Sequence, residues 1–254
     1  MAPVSSFVPF SLPVVDLGRV AYAPAYQTQV EHLDRVLAAR NAGTPIPGFL
    51  LLVEHNPVIT ISRRAGAAEH LLATPQLLSQ RGVAIAETDR GGDITYHGPG
   101  QLVAYPILDL NALNLGLHAY MRLLEQSVID TCADFGVATH RDPTATGVWT
   151  DKGDAKIAAM GVRVRRWISL HGLALNVTTN LDHFALIVPC GLTRPVTSLA
   201  RELAAASGSA CPTMGQAKAV LTRHLTSLVE NAWNSASEKR EQPSASPRVD
   251  AISP

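Results

Sequence analysis

Apolar positions along this chain switch several times between a helical and a strand-like spacing. In PAYQTQVEHLDRVLAARN, residues 24–41, Tyr26, Val30, Leu33, Val36 and Leu37 recur at the helical period. Pro24 suits a first turn and Gly43 a stop, which predicts a helix between them. FLLLVEHNPVITIS reads as two short strands around a turn at Asn56-Pro57. VAIAE and DITYH are further strands, and QLVAYPILDL is apolar enough for a buried one. Residues 116–135 predict a second long helix, with Leu117, Tyr120, Leu124, Val128 and Ile129 on one side.

VATHR, GVWTD, AKIAAMGVRVRRW and SLHGLALNV follow as strands, with turns at Lys152-Gly153-Asp154 and near Trp167. Residues 215–233 predict a last amphipathic helix. From Asn234 onward the chain is rich in Ser, Pro and charge, and 234–254 reads as a disordered tail. No internal repeat and no linker divides residues 1–233, so they are expected to form a single domain. Helices interleaved with short hairpins predict α/β (α+β) with a mixed or antiparallel sheet, not a doubly wound parallel one.

Lys+Arg and Asp+Glu are equal at 21 each, so no global field favours nucleic acid or an anionic membrane. Three cysteines, Cys132, Cys190 and Cys211, form no CxxC pair, which argues against a disulfide framework or structural zinc. The N-terminus MAPVSSFVPFSL lacks the basic start and apolar run of a signal peptide, and no stretch is apolar enough to span a membrane. The expected setting is cytoplasmic.

The densest candidate chemistry is RGGDITYHGPGQ, residues 90–101. It matches neither GxGxxG nor GxxxxGK, so its glycines point either to close backbone approach to a ligand or to a tight hairpin with two turns, not to a known phosphate loop. In VPCGL, Cys190 sits on a stiff turn, where it is either an inert turn cysteine or an exposed, aimed thiol. A free thiol is only roughly 3% thiolate at pH 7, so a nucleophile there needs a cation or base. Lys156 stands alone in the uncharged run AKIAAMG, where it either points to water from an edge strand or pairs with a thiolate. His97 and His171 offer a Cys/His alternative, whereas no HxH or HExxH spacing supports a metal site.

RGGDITYHGPGQLVAYPILDL, AKIAAMGVRVRRWISLHGLALNV and HFALIVPCGL together resemble the octanoyltransferases of lipoate biosynthesis, in order and spacing, from about residue 14 to about 230. The resemblance implies the biotin/lipoate protein ligase-like catalytic fold, one domain with a larger and a smaller mixed β-sheet flanked by helices. It implies transfer of an octanoyl group from octanoyl-acyl carrier protein to a lysine of lipoyl domains, in 2-oxoacid dehydrogenase complexes and the glycine cleavage H protein.

The resemblance makes Cys190 the nucleophile that carries the acyl thioester and Lys156 its partner. Arg90, Gly91, Gly92, Asp93, Ile94, Thr95, Tyr96 and His97 are expected to wall the acyl pocket. Ala159, Met160, Gly161, Gly172, Leu173 and Ala174 are expected there too, small residues such as Ala158, Ala159, Gly161 and Gly172 leaving room for the chain. His171 is an auxiliary candidate. Thioester exchange is nearly isoenergetic, so neither ATP nor a metal is expected. Arg163, Arg165 and Arg166 form a basic alternation that suits an acidic carrier protein or an ordinary solvated strand. The rivals are an ATP-dependent lipoate-protein ligase, which needs no Cys190, an amidotransferase between lipoyl domains, and a carrier-binding module without turnover.

Overall fold

The computed structural model describes residues 10–151, 154–188, 194–206 and 210–241. Its larger sheet has seven strands. Across the sheet these are β1 (Val14–Val20), β2 (Gly48–His55), β6 (Gln101–Leu108), β10 (Ile168–Asn176), β9 (Lys156–Arg165), β8 (Val148–Thr150) and β7 (Thr139–Arg141). β1 runs parallel to β2, and the other neighbours are antiparallel. The smaller sheet has three strands, β4 (Ala84–Thr88), β3 (Val58–Ser62) and β5 (Ile94–His97). The mixed two-sheet arrangement agrees with the fold expected from the sequence.

Strand alternation builds the core on both faces of the large sheet. Phe49, Leu51 and Val53 of β2 pack with Ala25, Leu33 and Val36 of α1 (Tyr22–Asn41). Leu50 and Leu52 point the other way, into a cluster with Tyr120, Leu124 and Val128 of α3 (Leu117–Asp134) and Leu221, Leu225 and Val229 of α5 (Met214–Glu241). Every position of β6 and β10 is buried, so these strands are covered by helices on both sides. Each fully buried leucine contributes about 1.5–3 kcal/mol. A third cluster joins Ile59, Ile94 and Tyr96 of the small sheet to Leu78 of α2 (Pro75–Arg81).

Four elements depart from the sequence expectation. β1 escapes the strand pattern because Asp16, Gly18 and Arg19 interrupt its apolar run where the pairing register shifts. α2 and α4 (Leu199–Ala206) are too short for a period to show. α5 continues past Asn234 to Glu241, which corrects the expected start of the tail. The cause is an apolar face that persists through Trp233 and Ala236, both buried, with Arg240 set over the Trp233 ring. The remainder of the tail lies outside the described residues. Among the described residues no helix is long and apolar enough to cross a membrane.

Candidate active site

The β9–β10 ladder pairs small residues on one face. Ala159 faces Ala174, and Gly161 faces Gly172, while Met160 and Leu173 between them join the core on the opposite side. Above this floor a cleft encloses about 490 Å³, counting its open mouth. Ala159, Met160, Gly161, Gly172, Leu173 and Ala174 all border it. Ala158 is instead buried in the core cluster. Gly172 also has a packing role. A Cβ there would stand 2.2 Å from Ala104 O, so its bare backbone lets β6 approach.

The run from Arg90 to His97 divides by strand alternation. Arg90, Gly92, Thr95 and His97 border the cleft. Ile94 and Tyr96 do not, because the two-residue period of β5 turns them into the small-sheet core. Asp93 is buried beside His70, whose Nδ1 lies 2.9 Å from its Oδ2 without hydrogen-bond alignment. Gly91 acts through its backbone, donating to Val162 O at 2.9 Å and tying the loop to β9. Arg90 donates to Thr60 O and Oγ1, both at 2.9 Å, and to Gly91 O at 3.1 Å, so its guanidinium braces the loop on β3.

Burial favours the neutral form of His97 and His171, which border the cleft, and of His55 nearby. His97 Nδ1 donates to Gln101 Oε1 at 2.7 Å, and burial followed by neighbouring His55 pushes its pKa down to about 3. His171 Nε2 donates to Asp89 Oδ1 at 2.8 Å. Burial, then the Arg90 and Arg163 guanidiniums, push that ring down to about 3 as well. His55 donates from Nδ1 to Val20 O at 3.0 Å and accepts from the Tyr105 hydroxyl at 2.7 Å, and burial takes it down to about 4. Such rings are poor bases near neutral pH and supply no charge for a thiolate.

Lys156 opens β9. Its backbone N–H donates to Pro195 O at 2.9 Å, and its carbonyl accepts from Thr197 N at 3.0 Å. Its ammonium stands 4.7 Å from the Trp149 ring centroid. The stem crosses Gly147, where a Cβ would lie 3.3 Å from Lys156 Cε. Cys190 lies outside the described residues. Of the other cysteines, burial pushes the Cys132 thiol up to about 12 and raises that of Cys211. Among the described residues no group of three or more His, Cys, Asp or Glu side chains is placed to hold a metal ion.

Several contributors escaped the sequence reading. Tyr22, Val103 and Tyr105 border the cleft, and each carries only the signature of a core residue. Asp89 sits behind it, where the Tyr26 hydroxyl donates to its Oδ2 at 2.8 Å and Arg163 forms an ion pair. That pair takes Arg163 out of the basic alternation, leaving Arg165 and Arg166 exposed.

A family model of the lipoyl protein ligase A/B catalytic domain matches residues 26–226. An octanoyltransferase of Solibacter usitatus is 52% identical over 184 residues, covering 72% of this chain and 80% of its own. One from Koribacter versatilis is 50% identical over 194 residues, covering 75% of each chain. Among solved structures, the archaeal lipoylation system of Thermoplasma acidophilum comprises a bi-partite lipoate protein ligase and its E2 lipoyl domain. Its match has a TM-score of 0.65 at 14% identity, over 91% of this chain and 92% of that one, a likeness of fold.

Proposed function

We propose that this chain, which belongs to the lipoyl protein ligase A/B catalytic-domain family and is an acyltransferase, moves an octanoyl group from octanoyl-acyl carrier protein to lipoyl-domain lysines. The acceptors are the lipoyl domains of 2-oxoacid dehydrogenase complexes and the glycine cleavage H protein. The setting is the cytoplasm, and the step is the first of endogenous protein lipoylation.

The observation that supports this reading most is the cleft itself. Small residues floor it, neutral histidines wall it, and it opens on the strand that begins with Lys156. An eight-carbon chain has seven methylene or methyl groups to bury, at about 0.8 kcal/mol each. In the first half-reaction the Cys190 thiolate attacks the donor thioester carbonyl, and the carrier thiolate leaves with a proton from the Lys156 ammonium. In the second, the lipoyl-domain amine attacks the Cys190 thioester. Neutral Lys156 takes the amine proton, the amide forms, and the Cys190 thiolate departs. His97 and His171, with pKa values near 3, are weaker candidates for that base. One thioester replaces another in the first half-reaction, so neither ATP nor a metal takes part.

The test is intact mass after mixing the protein with octanoyl-acyl carrier protein, without ATP, beside a Cys190→Ser variant. A hydroxylamine-labile octanoyl adduct on the parent alone is expected. Transfer to a lipoyl domain that requires ATP and free octanoate, with no adduct, would replace this reading with a ligase.

A further inference from the structure

The environment of Lys156 contains a second cation with its own pair of carboxylates. Trp149 is buried in β8, and its indole N–H donates to Ala145 O at 3.1 Å. The Lys156 ammonium lies 4.7 Å from its ring centroid, and the Arg194 guanidinium carbon lies 3.5 Å from the same point. The two cations are therefore within about 8 Å of each other, close enough for each to influence the other's charge. Arg194 Nη1 donates to Asp142 Oδ2 at 2.5 Å, and Nη2 pairs with Asp154. The Thr144 hydroxyl and amide, then Arg194, hold the Asp142 carboxyl well below its usual range.

Removing the guanidinium would leave two carboxylates without their cation, next to a ring that the Lys156 ammonium also approaches. An ammonium is a compact charge on a long stem, and it would be drawn to them. We propose that Arg194 is a positioning residue: by occupying Asp142 and Asp154 it reserves the Lys156 ammonium for the reacting thiol and amine. The functional part of this inference rests on the acyl-transfer reading of Lys156. Arginine suits the task because its planar fork meets two carboxylates at once while stacking on the indole, which lysine cannot do.

Among the described residues, charged groups on the neighbouring elements have partners of their own. His140 Nδ1 of β7 lies 2.7 Å from Oδ1 of Asp151, which follows β8. Glu202 of α4 accepts from the Thr197 hydroxyl at 2.5 Å. The facing stretch of β10, from Leu173 to Asn176, carries no ionisable side chain.

Lysines occur only at positions 152, 156, 218 and 239, so lysine labelled with ¹³C at Cε gives a spectrum simple enough to titrate. The Lys156 signal is assigned by its loss in Lys156→Arg. Arg194→Gln is expected to raise the Lys156 midpoint by about one pH unit. Arg194→Gln/Asp142→Asn/Asp154→Asn is expected to return it to within a few tenths of the parent. Octanoyl transfer should fall about tenfold in the single variant and recover severalfold in the triple one. A midpoint that does not move in Arg194→Gln, or that stays raised once the carboxylates are gone, would overturn the proposal. Should Arg194→Gln not fold, Asp142→Asn/Asp154→Asn must lower the Lys156 midpoint, and an unchanged midpoint would overturn it equally. The titration needs no substrate, so a parent protein without octanoyl transfer would count against the acyl-transfer reading separately.

Discussion

Asp89 Oδ1 accepts a hydrogen bond from His171 Nε2 at 2.8 Å, which anchors a cleft-lining ring of β10 to the loop after β4. His171 has a left-handed backbone with φ of 59°, and its N–H donates to Gln29 Oε1 of α1 at 2.8 Å. A β-branched or bulky residue rarely tolerates that conformation, so the two bonds hold it in place. Asp89→Ala would strip partners from His171, the Tyr26 hydroxyl and Arg163 together. We expect a stability loss of about 2–3 kcal/mol in urea unfolding and a sharp drop in octanoyl transfer. Unchanged unfolding would remove Asp89 from this framing role.

The buried neutral histidines set an acid limit. His55 near 4, and His97 and His171 near 3, all lie below the unfolded value of about 6.5. As pH falls through 6.5 the unfolded chain takes up these protons first, so stability declines from there down towards pH 3. Above pH 6.5 these three groups contribute no slope. Calorimetry between pH 4 and 8 should show Tm falling below about pH 6.5. His97→Gln should make that fall shallower, whatever its effect on Tm at pH 7.

Ala159 and Ala174 face each other on the cleft floor, so filling one should shorten the acyl chain that fits. Ala159→Leu is expected to lower kcat/KM for octanoyl donors by about tenfold to a hundredfold, and for butyryl donors much less. Competition between donors of different length in one reaction measures the ratio. Equal losses for both lengths would mean that Ala159 does not set chain length.

Arg40 and Asp109 lie 69 residues apart and form a two-point ion pair, Nε to Oδ2 and Nη2 to Oδ1, both at 2.7 Å. Arg40 also donates to Arg166 O at 2.7 Å, bracing the β9–β10 turn, where Arg166 and Trp167 both have positive φ. Asp109 is fully buried, so Arg40→Ala leaves a carboxylate without its cation. The expected cost is about 2–3 kcal/mol by urea unfolding, tempered because the guanidinium reaches solvent. Arg40→Ala/Asp109→Asn should recover part of it, and no recovery would locate the loss elsewhere.

Local spacing made the long helices and central strands legible. The apolar faces of 24–41 and 116–135, and the continuous run of 101–110, carry a period long enough to read. β1 was hidden by Asp16, Gly18 and Arg19, and the end of α5 by the polar residues around Trp233 and Ala236. Among the expected pocket residues, the six on β9 and β10 all border the cleft, whereas the run from Arg90 to His97 contributes alternately. A motif marks which residues stand together in sequence, and the pleat of β5 then sends Thr95 and His97 one way and Ile94 and Tyr96 the other.

By itself the sequence determined the order of the long helices and central strands, the mixed α/β class, the small residues of AKIAAMG and HGLA, and the lone lysine of AKIAAMG. These depend on side-chain period, size and charge, which are local properties. Tertiary structure alone decided that Asp89 grips His171, that Gly172 yields its space to Ala104 O, and that Arg194 and Lys156 share the ring of Trp149. Each of those joins segments far apart in sequence, and their electrostatics follow from burial and distance, which exist only once the sheets have packed.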